Sequence, residues 1–275
     1  MRTYLALIAI DLKLALRLRA VIIFNYLFPL IVYFIFGTVF RAGKSYGAAT
    51  QVMTMSLSLG ILGNGLFGAG IRALQERELN ILRRYKVTPI TPGPLLTASM
   101  ITGWVVFLPY IVLLLALTHY RYGMAWPQHM ASLLAFISLG LIAFRSIGLV
   151  IASVANTMQE GTILVQLLYF PMLFLSGATI PTEIFQNRWL IAFSKVIPAR
   201  YLVDGIKDIM LGNKDLLGVK ASIGALALTV VVGLIVGTKL FRWEKEEKVR
   251  PSAKLWVLAV LLPFLVIGLW NVWHP

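Results

Sequence analysis

Gly43-Lys44-Ser45 is how a phosphate-binding loop ends. Such a loop needs another glycine five positions before Gly43, so that backbone amides can wrap the phosphates. Thr38 stands there, and Gly37 is one position too early. The segment also follows a long apolar run instead of a short strand, so the chain is expected to carry no nucleotide site of its own. The 3 histidines, His119, His129 and His274, form no spaced pair with a carboxylate of the kind that holds zinc. Neither a Gly-x-Ser-x-Gly elbow nor a His-Glu-x-x-His helix occurs. With 0 cysteines, a disulfide framework and a thiolate metal site are both excluded. An enzyme would have to rely on scattered acids such as Glu160, Glu183 or Asp204. The chain therefore reads as a non-enzyme with no metal or cofactor of its own.

Two other groups of polar residues have informative positions. Arg145 stands inside an apolar run, where an arginine costs about 2.5–3.5 kcal/mol on insertion scales. It should face a bundle interior, a wet cavity or a partner, with Asn64, Gln166 and Glu160 as candidate companions. The alternative is that it lies nearer the surface and snorkels to headgroups. The segment 72–94, RALQERELNILRRYKVTPITPGP, begins with good helix formers. Glu76 and Glu78 precede Arg83 and Arg84, and Leu79, Leu82 and Tyr85 recur at helical spacing. Pro89, Pro92 and Pro94 then stop the helix. Spacing alone leaves two readings open: an amphipathic helix lying on a membrane or in a partner's groove, or a solvated charged loop.

The elements that must position these groups are apolar runs. Of 275 residues, 59% are hydrophobic and 13% charged, and the mean hydropathy is +0.83. A bilayer core of roughly 30 Å takes a helix of about 20 apolar residues. Such runs fall near 20–40, 50–74, 95–118, 130–155, 162–180, 221–241 and 255–273. They are continuous and too long for barrel strands, which makes the fold class an all-α polytopic membrane protein. Gly60, Gly63, Gly65, Gly68 and Gly70 in the second run permit close helix packing. The segment 4–19, apolar but broken by Asp11, Lys13 and Arg17, fits an interfacial helix.

Of the 25 Lys and Arg residues, 15 lie on the side of the N-terminus, 9 on the opposite side, and Arg145 within a run. The positive-inside rule puts the N-terminus in the cytoplasm. The formal net charge of +14 then reads as topology plus attraction to anionic lipid. Nucleic-acid binding would need a basic face on a soluble element, and none is visible. On the opposite side, Ser176-Gly177-Ala178-Thr179-Ile180-Pro181 opens a loop whose apolar pieces, 189–193 and 201–203, are separated by Ile197-Pro198. Pieces too short to span suggest segments dipping into the bilayer rim, or a helix lying flat.

Taken in order, these segments resemble the permease subunits of ABC-2-type (type V) ABC exporters. The resemblance rests on the amphipathic N-terminal helix and two spans, then Glu76-Arg77-Glu78 leading through Leu82-Arg83-Arg84 to Thr88-Pro89. It rests further on Leu173-Phe174-Leu175-Ser176-Gly177 with Ile180-Pro181, then Ile197-Pro198 and Leu211-Gly212. It covers roughly residues 1–243, leaving 244–275 as a basic linker and an extra apolar helix.

The resemblance implies a six-span bundle with an N-terminal interfacial helix. Residues 75–86 would form a helix coupling to an ATPase subunit, with Glu76 and Glu78 as acidic contacts beside Arg77 and Leu82, and with Arg83 and Arg84 as the basic side. Ser176, Gly177, Pro181 and Pro198 would belong to outer re-entrant helices, and spans one, two and five would line the route. It further implies an ABC ATPase partner carrying ATP and Mg, a second permease copy, identical or not, a lipid environment and a cell (inner) membrane location. One departure stands out. The family usually stops after span six, whereas 255–273 is a seventh apolar run, with Trp256, Trp270 and Trp273 placed like interfacial anchors.

The function implied is export by a permease subunit. A lipid-like or drug-like substrate is the first expectation and a glycan the second. The rivals are a gradient-driven secondary transporter or channel, which would need coupled carboxylates or broken helices at mid-span, and a non-transporting membrane scaffold.

Overall fold

The computed structural model describes residues 2–17, 23–86, 90–250, 252 and 255–273. Arg19, Thr88, Pro89, Lys254 and the start of the first run at 20–22 lie outside them, as do the side chains of Trp270 and Trp273. Among the described residues the chain is all helix and turn, with no strand. In order come α1 (Arg2–Arg17), α2 (Phe28–Val39, entered through a π-helical stretch at Ile23–Leu27), α3 (Tyr46–Glu78), α4 (Ile81–Lys86), α5 (Pro92–Tyr122) and α6 (Met130–Val154). Then follow α7 (Met158–Leu175), α8 (Arg188–Ser194), α9 (Pro198–Met210), α10 (Lys220–Lys239) and α11 (Trp256–Trp273). Helices α3, α5, α6, α7 and α10 with its opening turn are long and apolar enough to cross a membrane. The stretches Asn25–Val39 and Trp256–Leu269 are shorter apolar helices. The protein is an all-α polytopic membrane protein, and each expected apolar run contains a helix, the fifth ending at Leu175 instead of reaching 180.

The hub is α3. Val52, Met53, Leu57, Ile61, Leu62 and Leu66 are buried in one cluster with Phe107, Tyr110 and Phe144. Where α3 meets α6, a Cβ added at Gly65 would lie 2.7 Å from the Phe144 carbonyl carbon, and one at Gly70 would lie 2.7 Å from the Gly148 oxygen. A Cβ at Gly148 would overlap the Gly65 oxygen. The two backbones touch at this crossing, which is what small residues permit where lipid offers no hydrophobic drive to pack helices. Here α3 widens into a π-helix over Gly63–Ile71, the stretch that carries Asn64.

One end of the bundle gathers α1, α4, the last turns of α3, α6 and α10, and the starts of α5 and α7. The other holds α8 and α9. Tyr201, Leu202, Val203, Ile206, Ile209 and Met210 bury one face of α9. The Leu202 side chain sits on Gly140 of α6, and Gly205 of α9 accommodates the Phe136 ring. The extra helix α11 packs against α10 and α6 and reaches the α8–α9 turn, where Gly268 lies against Lys195 and Val196. Pro109, Pro171 and Pro263 sit inside helices. Neighbouring helices make such breaks tolerable in a membrane bundle.

If the backbone contact at Gly148 is what brings α3 and α6 together, Gly148→Leu should destabilise the protein by at least about 1–3 kcal/mol. A drop in the thermal midpoint of the detergent-solubilised chain checks this, with Gly224→Leu, where a Cβ meets nothing within 4 Å, as the neutral control.

Candidate functional site

The segment 75–86 is two helices, not one. Glu78 ends α3, Leu79 and Asn80 turn, and Ile81 begins α4. The backbone N–H groups of Leu79 and Asn80 donate to the carbonyls of Gln75 and Arg77, each at 3.0 Å. Asn80 adopts φ 56, the left-handed geometry that commonly closes a helix and that asparagine tolerates. The expected continuous helix breaks there, and α4 leaves in a new direction.

That break sorts the charged residues into an inner and an outer set. Arg77 is only 3% exposed. Its Nη1 donates to the Ala152 carbonyl at 2.9 Å and its Nη2 to the Ala155 carbonyl at 2.6 Å, both at the end of α6. Glu76 accepts from Arg72 Nε at 2.9 Å, and Arg72 also pairs with Asp11 of α1. Glu78 Oε1 accepts the Met158 N–H at 3.1 Å, where a carboxylate complements the positive N-terminus of α7. Leu82 is buried. Arg83, Arg84 and Lys86 are exposed, as is Leu79. The Glu76-Arg77-Glu78 triplet thus faces the protein, and the basic residues face outward.

A second arginine reaches the same helix end. Arg242, just past α10, donates through Nη2 to the Ser153 carbonyl at 3.0 Å and to the Ala155 carbonyl at 2.5 Å. Burial pushes its guanidinium down to about 10, with neighbouring Arg77 acting in the same sense. It stays charged at neutral pH. Nearby, Lys86 Nζ donates to Glu244 Oε1 at 3.0 Å, which holds the ammonium up and the carboxylate down.

Deeper in the bundle, Arg145 is 3% exposed and meets α3 and α5. Nη1 donates to Asn64 Oδ1 at 2.6 Å and to the Asn64 carbonyl at 3.3 Å. Nη2 donates to the Ser99 carbonyl at 2.6 Å and to its hydroxyl at 3.1 Å. The guanidinium lies on Gly103, where a Cβ would overlap it. Of the companions expected from sequence, Asn64 is a partner. Gln166 is exposed on α7 and bonds elsewhere or to nothing on Arg145. Glu160 instead accepts the Asn156 N–H at 2.8 Å at the start of α7. Ser99 belongs to no sequence motif, and neither the Ser99 contact nor the pairing of Asp11 with Arg72 carries a signal in the sequence.

At the opposite end, Gly177 takes φ 85. Gln51 Nε2 of α3 donates to the Gly177 and Ala178 carbonyls at 3.2 and 3.1 Å. The buried Ser176 hydroxyl accepts the Ala178 N–H at 3.2 Å. Pro181 precedes a 3-10 turn, and Pro198 opens α9. Ser45, from the phosphate-loop look-alike, caps α3 by accepting the Ala48 N–H at 3.1 Å. Among the described residues no three of His, Asp and Glu gather to hold a metal ion. At the first end, hydrogen bonds thus join the last turn of α3 and the residue after α10 to the end of α6.

Residues 2–211 match the family described as ABC-2 type transporter. Nodulation protein J of Rhizobium leguminosarum bv. trifolii is 31% identical over 113 residues, 40% of this chain and 41% of that protein. Nodulation protein J of Rhizobium meliloti (strain 1021) is 34% identical over 112 residues, with the same shares. The Linearmycin resistance permease protein LnrN of Bacillus subtilis (strain 168) is 20% identical over 181 residues, 64% of this chain and 46% of the relative. The chain therefore spans less than half the length of each of these relatives.

Replacing Arg77 by Met leaves the Ala152 carbonyl without its side-chain donor and the Ala155 carbonyl with Arg242 alone, at a cost of about 1–3 kcal/mol. Faster amide exchange over 72–86 is the expected result. Arg77→Lys should not restore protection, since a point charge cannot fork to two carbonyls.

Proposed function

This chain belongs to the ABC-2 type transporter family, and from that premise we propose that it is the permease subunit of an ATP-driven exporter in the cell membrane. Its N-terminus is cytoplasmic, and a separate ABC ATPase subunit binds ATP and Mg and hydrolyses the nucleotide. Two permease copies and two ATPases make the transporter. The observation that carries this reading is the bracket at the α4 end. A short helix projects from a span through a tight turn, and the residues behind it grip the ends of α6 and α7. Closure of two ATPases on nucleotide pushes α4, and the inner set of Glu76, Arg77, Glu78 and Leu82 passes the push to three helices. Arg83 and Arg84 make the contacts outside. The packed bundle then moves from one arrangement to the other, because tightly packed cores shift between discrete states.

A gradient-driven transporter needs carboxylates at mid-span. In the five long helices the acids are Glu76, Glu78 and Glu160, all in a first or last turn. That distribution favours the ATP-driven reading. For substrate, a lipid-like or amphipathic drug-like compound comes first. The name of the Bacillus relative, a linearmycin resistance permease, supports the drug-like part of this reading, and a glycan is the second choice.

Purification of the chain from its native membranes in mild detergent should bring down an ATP-hydrolysing subunit near one-to-one, and Glu78→Lys should lower the ATP-dependent activity of that complex several-fold. Intact, folded permease that reproducibly carries no such subunit, or a Glu78→Lys complex with unchanged ATP-driven transport, contradicts the reading or the role of Glu78 respectively.

A further inference from the structure

Beyond α10 the chain folds back across the bundle end instead of leaving it. Arg242 anchors this return and is 7% exposed. Besides its two bonds to the end of α6, its Nη1 donates to Asn156 Oδ1 at 2.8 Å and to the Glu247 carbonyl at 2.6 Å. The Val249 N–H donates to the same Asn156 Oδ1 at 2.9 Å. The backbone of 243–250 is thus pinned at two points over the α6–α7 turn. Its other side meets α4: Lys86 Nζ lies 3.0 Å from the Glu244 carboxylate and 3.6 Å from that of Glu247, and Arg83 Nε lies 3.9 Å from Glu244. Exposed ion pairs contribute little individually, because solvent screens them. Arg242 therefore fixes the strap, while the ion pairs set how α4 lies against it.

The arrangement decides what the surface offers. Glu76 and Glu78 are turned inward, and Glu244 and Glu247 are engaged by α4. Arg84, Lys245, Lys248 and Arg250 remain exposed, with Glu246 as the exposed acid among residues 242–250. Leu79, 62% exposed, stands at the turn before α4. The strap also lies past residue 211, where the family match ends.

We propose that α4 and residues 243–250 form one composite basic docking surface, and that the ATP-hydrolysing subunit meets both parts with an acidic patch. This rests on the permease reading and extends it to a segment outside the family match. A protein partner fits better than a lipid surface for two reasons. Anionic headgroups attract basic segments of any shape, whereas this strap is held in one shape by a buried arginine. Leu79, an exposed apolar side chain next to the charged α4, matches the mixed composition of a protein interface.

The test places the full chain in nanodiscs of neutral phosphatidylcholine and titrates in the ATP-hydrolysing subunit that co-purifies with the wild type. The variant Lys245→Glu/Lys248→Glu/Arg250→Glu alters exposed side chains only, so its fold should survive. It should bind about tenfold more weakly and with a shallower salt dependence, as should Arg84→Glu. Arg242→Gln should weaken binding as well, and amide exchange over 243–250 should rise. If the triple variant binds like the wild type while Arg84→Glu does not, α4 docks alone: the strap proposal falls and the permease reading stands. If the triple variant binds the subunit like the wild type in neutral nanodiscs and differs from it only in nanodiscs containing anionic phosphatidylglycerol, the strap is a lipid contact and the proposal falls. If no ATP-hydrolysing subunit binds the wild-type chain, both fall.

Discussion

A helix in a membrane protein still owes donors to the carbonyls of its last turn, and those of α6 find theirs in side chains from two other parts of the chain. Arg77 takes Ala152 and Ala155; Arg242 takes Ser153 and Ala155. One is the end of α3 and the other follows α10, so a local shortage at one helix end ties three helices together. Cations are also favoured at a helix C-terminus by the helix dipole. Glu78 does the complementary thing at the start of α7. The direction of α4, the path of 243–250 and the inward orientation of Glu76-Arg77-Glu78 follow from these bonds.

The same end holds the other buried charges. Arg145 lies nine residues before the end of α6, about 13 Å along a helix rising 1.5 Å per residue. Its ligands are neutral: an amide oxygen, a hydroxyl and two carbonyls. That arrangement depends on the backbone contact at Gly65, Gly70 and Gly148, which brings Asn64 within reach, and on Gly103, which leaves space for the guanidinium. Arg72 is balanced by Asp11 and Glu76, so α1 is tied to α3 by charge. Side-chain bonds thus join α1, α3, α6 and the segment after α10 at this one end.

Much of the fold was legible because the membrane demands it. Continuous apolar runs can only be helices there, and the glycine-rich second run does make the closest packing. The pairing of Arg145 with Asn64 was legible for a related reason: polar groups are so scarce in the runs that they must find each other. Gln166 satisfied the same rule and differs only in the face of α7 it occupies, which composition does not reveal. The break at Leu79-Asn80 was harder to see. Leu79, Ile81 and Leu82 keep helical spacing across it, and the one local signal was Asn80, a residue suited to closing a helix. The burial of Arg77 was not legible at all, since an arginine on an amphipathic segment is expected to face water. Its partners are carbonyls 75 and 78 residues away, defined only once α3 and α6 have crossed.

The central claim is that α4 reports the nucleotide state of a partner to the far end of the bundle. With no native cysteine, introduced labels report only on the positions chosen, and a dilution of labelled with unlabelled copies isolates the distance within one chain. Spin labels at Gln159→Cys and Trp189→Cys, both exposed and at opposite ends, give the distance between the start of α7, where Glu78 bonds, and α8 in the assembled complex. The account predicts one distance distribution without nucleotide and a shifted one with ATP trapped on the partner, with no shift when the permease is alone. A distribution that stays the same while the complex hydrolyses ATP would contradict it.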